Sequence, residues 1–156
     1  MEYFVTNRDI IKNLKINTGT SGSPTYTPAC TTSELTLNED FTKKDFFVFC
    51  DAIQRSVITG VALSLEGTIK LDINNTALRR VLGNVHTLLT SGTISQFNNL
   101  AVQFDLLTNV NNAVLEYTTY TCNVVLTLEG LGGSAEDEGE VGFTMAINGT
   151  STGVSA

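Results

Sequence analysis

Along most of the chain the apolar positions follow two periods. From Thr76 to Thr90, Leu78, Val81, Leu82, Val85, Leu88 and Leu89 recur at three- and four-residue spacing. That places all six on one stripe of a 3.6-residue period, and it predicts a helix over residues 76–90 with those six as its core face. Arg80, Asn84 and Thr87 take the opposite side. Asn74 and Asn75 can cap the first turn, because a short polar side chain accepts a bond from an orphan amide there, and Gly92 supplies a left-handed stop. Almost everywhere else the period is two. Val61, Leu63, Leu65, Ile69, Leu71 and Ile73 alternate with Ser64, Glu66, Thr68, Lys70 and Asp72, which predicts one long half-buried strand. Gly67 keeps the phase without a side chain, which suits a bend or a close backbone approach.

The remaining segments read mostly as strands and turns. Residues 31–37 alternate, and Asn38 to Asp45 then break the pattern. Phe46, Phe47, Val48, Phe49 and Cys50 form a continuous apolar run that reads as a buried strand, though a short helix running on to Ile53 is also compatible with it. Val102, Phe104 and Leu106, then Leu115 and Tyr117, flank the turn-forming residues from Thr108 to Asn112, the signature of a hairpin. From Tyr120 to Leu128 the apolar residues fall on even numbers, which places a bulge or corner at Thr118 and Thr119. An acid-ended loop over 130–138 precedes a last strand with Val141, Phe143, Met145 and Ile147 on one face. The expected organisation is a flexible N-terminal arm over 1–28, a β domain over 29–149 and a short tail over 150–156. The fold class is mainly β with one α-helix lying on a sheet.

Composition narrows the function. A chain of 156 residues with 42% hydrophobic and 16% charged residues forms one globular domain with a real core. No apolar run approaches the roughly 18 residues of a membrane span, so no membrane insertion is expected. The first eight residues lack a basic region followed by an apolar one, so no cleaved secretion signal is expected. A net charge of -7 argues against gripping nucleic acid, since affinity for phosphates comes from neutralising them. Cys30, Cys50 and Cys122 are too widely spaced for a zinc set and read as free thiols.

Catalytic chemistry is not indicated. His86, the single imidazole, borders the helix stripe and reads as a spacer. Gly149, Ser151 and Gly153 match a GxSxG elbow only formally, because three residues then remain for the acid and histidine that must follow. Glu136, Asp137, Glu138 and Glu140 are nearly consecutive instead of alternating around a tight turn, so they read as a solvated loop or a subunit contact and not as a calcium site. No cofactor, metal or enzymatic activity is expected.

Several stretches together carry a family resemblance. They are Cys50 to Arg55 leading through Thr59 and Gly60 to Leu63–Thr68; Thr93 to Asn99 with Gln103 to Leu107; Tyr117 to Tyr120; and Glu136 to Gly139 before Phe143, Thr144 and Met145. Over about residues 28–149 the chain resembles phage tail tube proteins, also called major tail proteins, whose fold is shared with contractile-tail and type VI secretion tubes. The resemblance implies a β-sandwich or barrel of the tail-tube type flanked by a single helix. It implies a virion structural protein, made in the host bacterial cytoplasm and located in the virion tail. Such a protein polymerises as stacked hexameric rings into a hollow tube that delivers DNA without specific binding. Its partners would be itself, a tape-measure protein and tail-tip or terminator proteins.

On that reading Asn123, Thr127, Glu129, Glu140 and Thr144 are candidates for the lumen wall, since an acidic polar surface resists phosphate attachment. Glu136, Asp137 and Glu138 are candidates for a ring-stacking loop, together with residues 1–23 and 38–45. The alternative is an adhesion or glycan-binding β-sandwich module of a phage or bacterium, which usually presents exposed aromatics in a groove. This chain has no tryptophan.

Overall fold

Two strands far longer than usual set the shape of the molecule. The computed structural model describes residues 5–19, 22–30, 32–71, 77–148 and 152–155, with the backbone alone for residues 51, 77–81, 96 and 152–155. The elements are α1 (Asn7–Ile10), β1 (Ile11–Asn17), β2 (Tyr26–Pro28), β3 (Thr32–Val48), β4 (Asp51–Lys70), α2 (Ala77–Ser91), α3 (Ser95–Asn98), β5 (Leu100–Asn111), β6 (Val114–Glu129), β7 (Glu140–Ile147) and β8 (Thr152–Ser155). All strand pairs are antiparallel, in the order β2-β1-β5-β6-β7-β4-β3. β8 pairs with Thr118–Thr121 of β6, and β7 pairs with the stretch of β6 beyond, so the two share β6 as a partner.

Alternation in register builds the core. Leu65 lies beside Met145, which lies beside Leu126; Val102 lies beside Cys122, and Leu100 beside Val124. These side chains are buried on one face of the sheet with Ile69, Phe104, Val141 and Phe143. Ile11, Leu14 and Ile16 of β1 and the half-buried Leu35 and Leu37 of β3 join the same cluster. Strands near opposite ends of the sheet order therefore share one core. The sheet curls round on itself into a barrel with an open seam between β1 and β3. The half-buried Phe97 of α3 packs against the core as well.

Gly67 is the close backbone approach that its place in the pattern predicts. It sits opposite Leu35, and a Cβ there would overlap the Glu34 carbonyl oxygen and stand 3.0 Å from Phe143 Cζ. Gly92 ends α2 at φ 69°, with its amide donating to Leu88 O, as the left-handed stop predicts.

Five expectations about where elements begin, end and face change, besides the exposure of Phe46–Cys50. Residues 11–17, expected in a flexible arm, form β1 between β2 and β5, because Ile11, Leu14 and Ile16 have the spacing to reach the core across a bulge at Asn13. Part of the expected tail, Thr152–Ser155, pairs with β6. Residues 38–45 do not break a strand, since β3 runs unbroken from Thr32 to Val48. Thr118 and Thr119 hold no bulge. Pairing with β5 is continuous from Tyr117 to Val124, and the irregularity falls on the β5 side between Leu107 and Asn109. Tyr117 and Tyr120 simply belong to opposite faces.

The fifth change concerns α2, which is rolled about its axis. Asn84, expected outside, is buried, Val85 is half-buried, and Leu82, Leu88 and Leu89 are exposed, Leu89 at 81%. The helix lies against β1, and among its described side chains Asn84 is the most buried while the C-terminal leucines of the stripe stay exposed. Asn74 and Asn75, and the side chains of Leu78 and Val81, lie outside the described residues.

Two substitutions test this architecture. Gly67→Ala is expected to destabilise the protein by about 1–3 kcal/mol, the usual range for overpacking, as a lower urea midpoint with unchanged slope. Met145→Ala should cost about 2–5 kcal/mol, while Thr144→Ala, one residue along on the other face, should stay within about 0.5 kcal/mol. Equal losses for the two would contradict the facing assigned to β7.

Candidate assembly surfaces

The convex face of the sheet is polar and small-sided. Register places Glu66 beside Thr144 and Thr144 beside Thr127, Thr68 beside Gly142 and Gly142 beside Glu129, and Ala101 beside Asn123. Glu140 pairs in register with Lys70 on the same face. The five candidate lumen residues thus lie together: Asn123, Thr127, Glu129 and Glu140 exposed, Thr144 half-buried. The face also includes Glu34 and Asp105, giving Glu34, Glu66, Asp105, Glu129 and Glu140 against Lys12, Lys15 and Lys70.

Polar contacts fix the β1 side of this face. Thr119 Oγ1 donates to Asp105 Oδ1 at 2.6 Å, and Asn13 Nδ2 donates to Asp105 Oδ2 at 2.8 Å. Lys12 Nζ stands 3.9 Å from the centroid of the Tyr117 ring, and the Tyr117 hydroxyl donates to Asp9 O at 2.7 Å. The ammonium over the ring face and the hydroxyl bond together hold α1 and β1 onto the β5–β6 hairpin.

The acidic loop is exposed from Gly130 to Gly139, and its three candidates are not equivalent. Glu138 Oε2 accepts from Lys70 Nζ at 3.0 Å, and Leu71 N donates to Gly139 O at 2.8 Å, which ties the loop's end to the end of β4. That hydrogen bond and the charge of Glu138 raise the pKa of the Lys70 ammonium. No described contact ties down the side chains of Glu136 and Asp137, so those two carboxylates are presented outward on an exposed loop.

The longest run of exposed side chains among the described residues is the distal half of the β3–β4 hairpin. Pairing of β4 with β7 covers only Ser64–Lys70, and every described side chain from Glu39 to Ala62 is exposed. At roughly 3.3 Å per residue, Glu39 to Cys50 forms an arm about 35 Å long. Phe46–Cys50, expected as a buried strand, is its tip: Phe47 is 66% exposed, Phe49 111% and Ile53 71%. Phe41, Val57, Ile58 and Val61 continue the exposed apolar surface toward the root. The run is as apolar as the sequence says, but no described residue of its own chain covers it.

At the foot of the arm, the seam between β1 and β3 opens into a groove of about 870 Å³. Ile10, Ile11, Leu14, Leu35, Leu37 and Leu106 line it, with Cys30 and Thr32 toward the start of β3. Sequence reasoning missed the groove, because it depends on the curl of the sheet. Among the described residues no three His, Cys, Asp or Glu side chains come together as a metal site, and His86 is exposed on α2.

No protein-family model matches this sequence, and no curated protein does. Solved structures match over nearly the whole chain. A chain in the tail of an empty gene transfer agent particle with C6 symmetry aligns over 96% of this chain and 98% of its own, with TM-score 0.59 and 12% identity. A chain from the sheath/tube terminator of an extracellular contractile injection system aligns over 98% of each, with TM-score 0.56 and 11% identity. The SPP1 tail tube aligns over 95% of this chain and 78% of its own, with TM-score 0.53 and 9% identity. At such identities the likeness is one of architecture: the chain has the tail-tube fold.

Proposed function

We propose that this protein is the subunit of a phage-type tail tube, in which copies close into a hexameric ring and rings stack into a hollow conduit for DNA. The observation that carries the reading is the arm. An isolated two-stranded hairpin is marginally stable in water, and exposed strand edges bearing Phe, Ile and Val are an aggregation hazard. A chain that presents such an arm on a fold found in solved tails gains most by covering it with its own copies. Contact between two different faces of identical subunits is heterologous, and it generates rings where the rotation closes and filaments where it does not.

The polar convex face suits the lumen. Its excess of carboxylates over ammonium groups gives no array of cations to exchange for phosphate counterions, so passing DNA is not held. The acidic loop and the arm lie at opposite ends of the strands. Glu34, Lys70 and Glu129 mark one end in register, and β3 and β4 run from there to the arm tip. Head-to-tail stacking would bring the arm end of one ring to the acidic end of the next. A tape-measure protein in the lumen, terminator or tip proteins at the ends, and a place in the virion tail after synthesis in a bacterial host complete the proposal.

Two experiments test it. Negative-stain microscopy of the purified chain over a range of concentrations, with and without isolated tail tips, is expected to show hollow six-fold rings or tubes. Dispersed particles in both conditions would overturn the reading. Neutralising the loop as E136Q/D137N/E138Q should lower tube yield severalfold while the melting temperature stays within a few degrees, because exposed charges contribute about 0–1 kcal/mol to folding. Unchanged yield would remove the loop from the stacking contact.

A further inference from the structure

Resting on the tube reading, we infer where the arm goes: its tip, Phe47–Cys50, seats in the β1–β3 groove of a second copy, at the end of that groove near Ala29, Cys30 and Thr32. A copy cannot fill its own groove. The groove ends at Glu39, where β3 leaves the barrel, and the arm continues from that point as paired strand for about 35 Å. Folding back would break the ladder that forms the arm, so the occupant must be another molecule.

The two surfaces fit in three respects. The groove is floored by Leu14, Leu35 and Leu37, and the tip offers side chains of the same apolar class. Phe46, Phe47 and Phe49, at about 150–250 Å² each when fully buried, approach the roughly 800 Å² per partner of a standard interface. Both surfaces also carry strand edges with no strand partner among the described residues: the outer edge of β3 beside the groove, and the outer edge of β4 along the arm. Extended backbone laid against such an edge satisfies the amides and carbonyls of both strands, as in strand addition.

Each copy therefore has one tip and one groove, and the contact propagates instead of stopping at a pair. The native cysteines report on it. Cys50 is exposed at the tip, Cys30 is exposed in the groove lining, and Cys122 is buried.

The test is crosslinking of the reduced, assembled protein with a short bismaleimide, followed by peptide mapping. The expected product is a ladder of dimers and higher oligomers in which the Cys50 peptide of one copy is joined to the Cys30 peptide of another. Either C30S or C50S should abolish the ladder. F47S/F49S should reduce crosslinking at least tenfold with an unchanged melting temperature, since both rings are solvent-facing in the single chain. Tubes that give no Cys30–Cys50 product, or F47S/F49S tubes that crosslink as well as wild type, would overturn the docking while leaving the tube reading in place. A Cys30–Cys50 ladder in open chains that never form rings would support the docking and overturn the tube. No association at any concentration overturns both.

Discussion

Backbone hydrogen bonding along β3 and β4 is the constraint on which the rest of the molecule depends. Strands of 17 and 20 residues are paired with each other almost throughout, yet β7, the next strand in the sheet, has 8 residues and reaches only Ser64–Lys70 of β4. A barrel of this size has no more sheet to offer. The surplus leaves the body as a two-stranded arm whose inner edges pair with each other and whose outer edges meet no further strand among the described residues. Disorder would release the ladder bonds between the two strands, and no described part of the chain buries their apolar side chains. A partner that supplies both apolar contact and strand edges resolves the conflict.

The barrel that anchors the arm depends in turn on close approach at one point. With Gly67 opposite Leu35, the β3 backbone comes near enough for Leu35 and Leu37 to join the core that Leu65, Phe143 and Met145 begin. A side chain at residue 67 would push β3 away from β4 and the Phe143 ring, widen the seam and tilt the arm's root. The position of an arm far from the core is in this way set by one missing Cβ inside it.

What could be read in the sequence was local and periodic. Alternation through Leu63–Ile69 and Val141–Ile147 specified the buried faces of β4 and β7, and Gly67 and Gly92 announced their roles through their positions. The failures share one cause, that a residue's exposure is not a property of its own segment. Phe46 to Phe49 reads as core because four apolar residues in a row usually are; only the shortness of β7 leaves them outside. Leu82 and Leu89 read as the buried side of a helix, but among its described side chains it is Asn84 that is buried and Val85 half-buried. Lys12 and Ile11 read as part of an arm because the Gly-, Ser- and Thr-rich stretch after them dominates the segment. The five polar-face residues could be grouped from the sequence because strict alternation places them on one side of β6 and β7, whatever that side faces.

On the proposed reading, those five residues bear on how a wall can enclose DNA without holding it. Thr127, Thr144 and Gly142 lie together on the face, where short side chains leave a smooth surface and the side chain of Glu129 lies against Gly142. The carboxylates share that face, and Lys70 is engaged by Glu138. The ammonium of Lys12 sits over Tyr117. Two of the three cations on the face are thus already occupied within the subunit, so even the positive charge that is present offers a phosphate less than its count suggests. In the proposed tube, sixfold repetition would turn that local arrangement into a continuous surface of low affinity, the electrostatic opposite of a nucleic-acid binding groove.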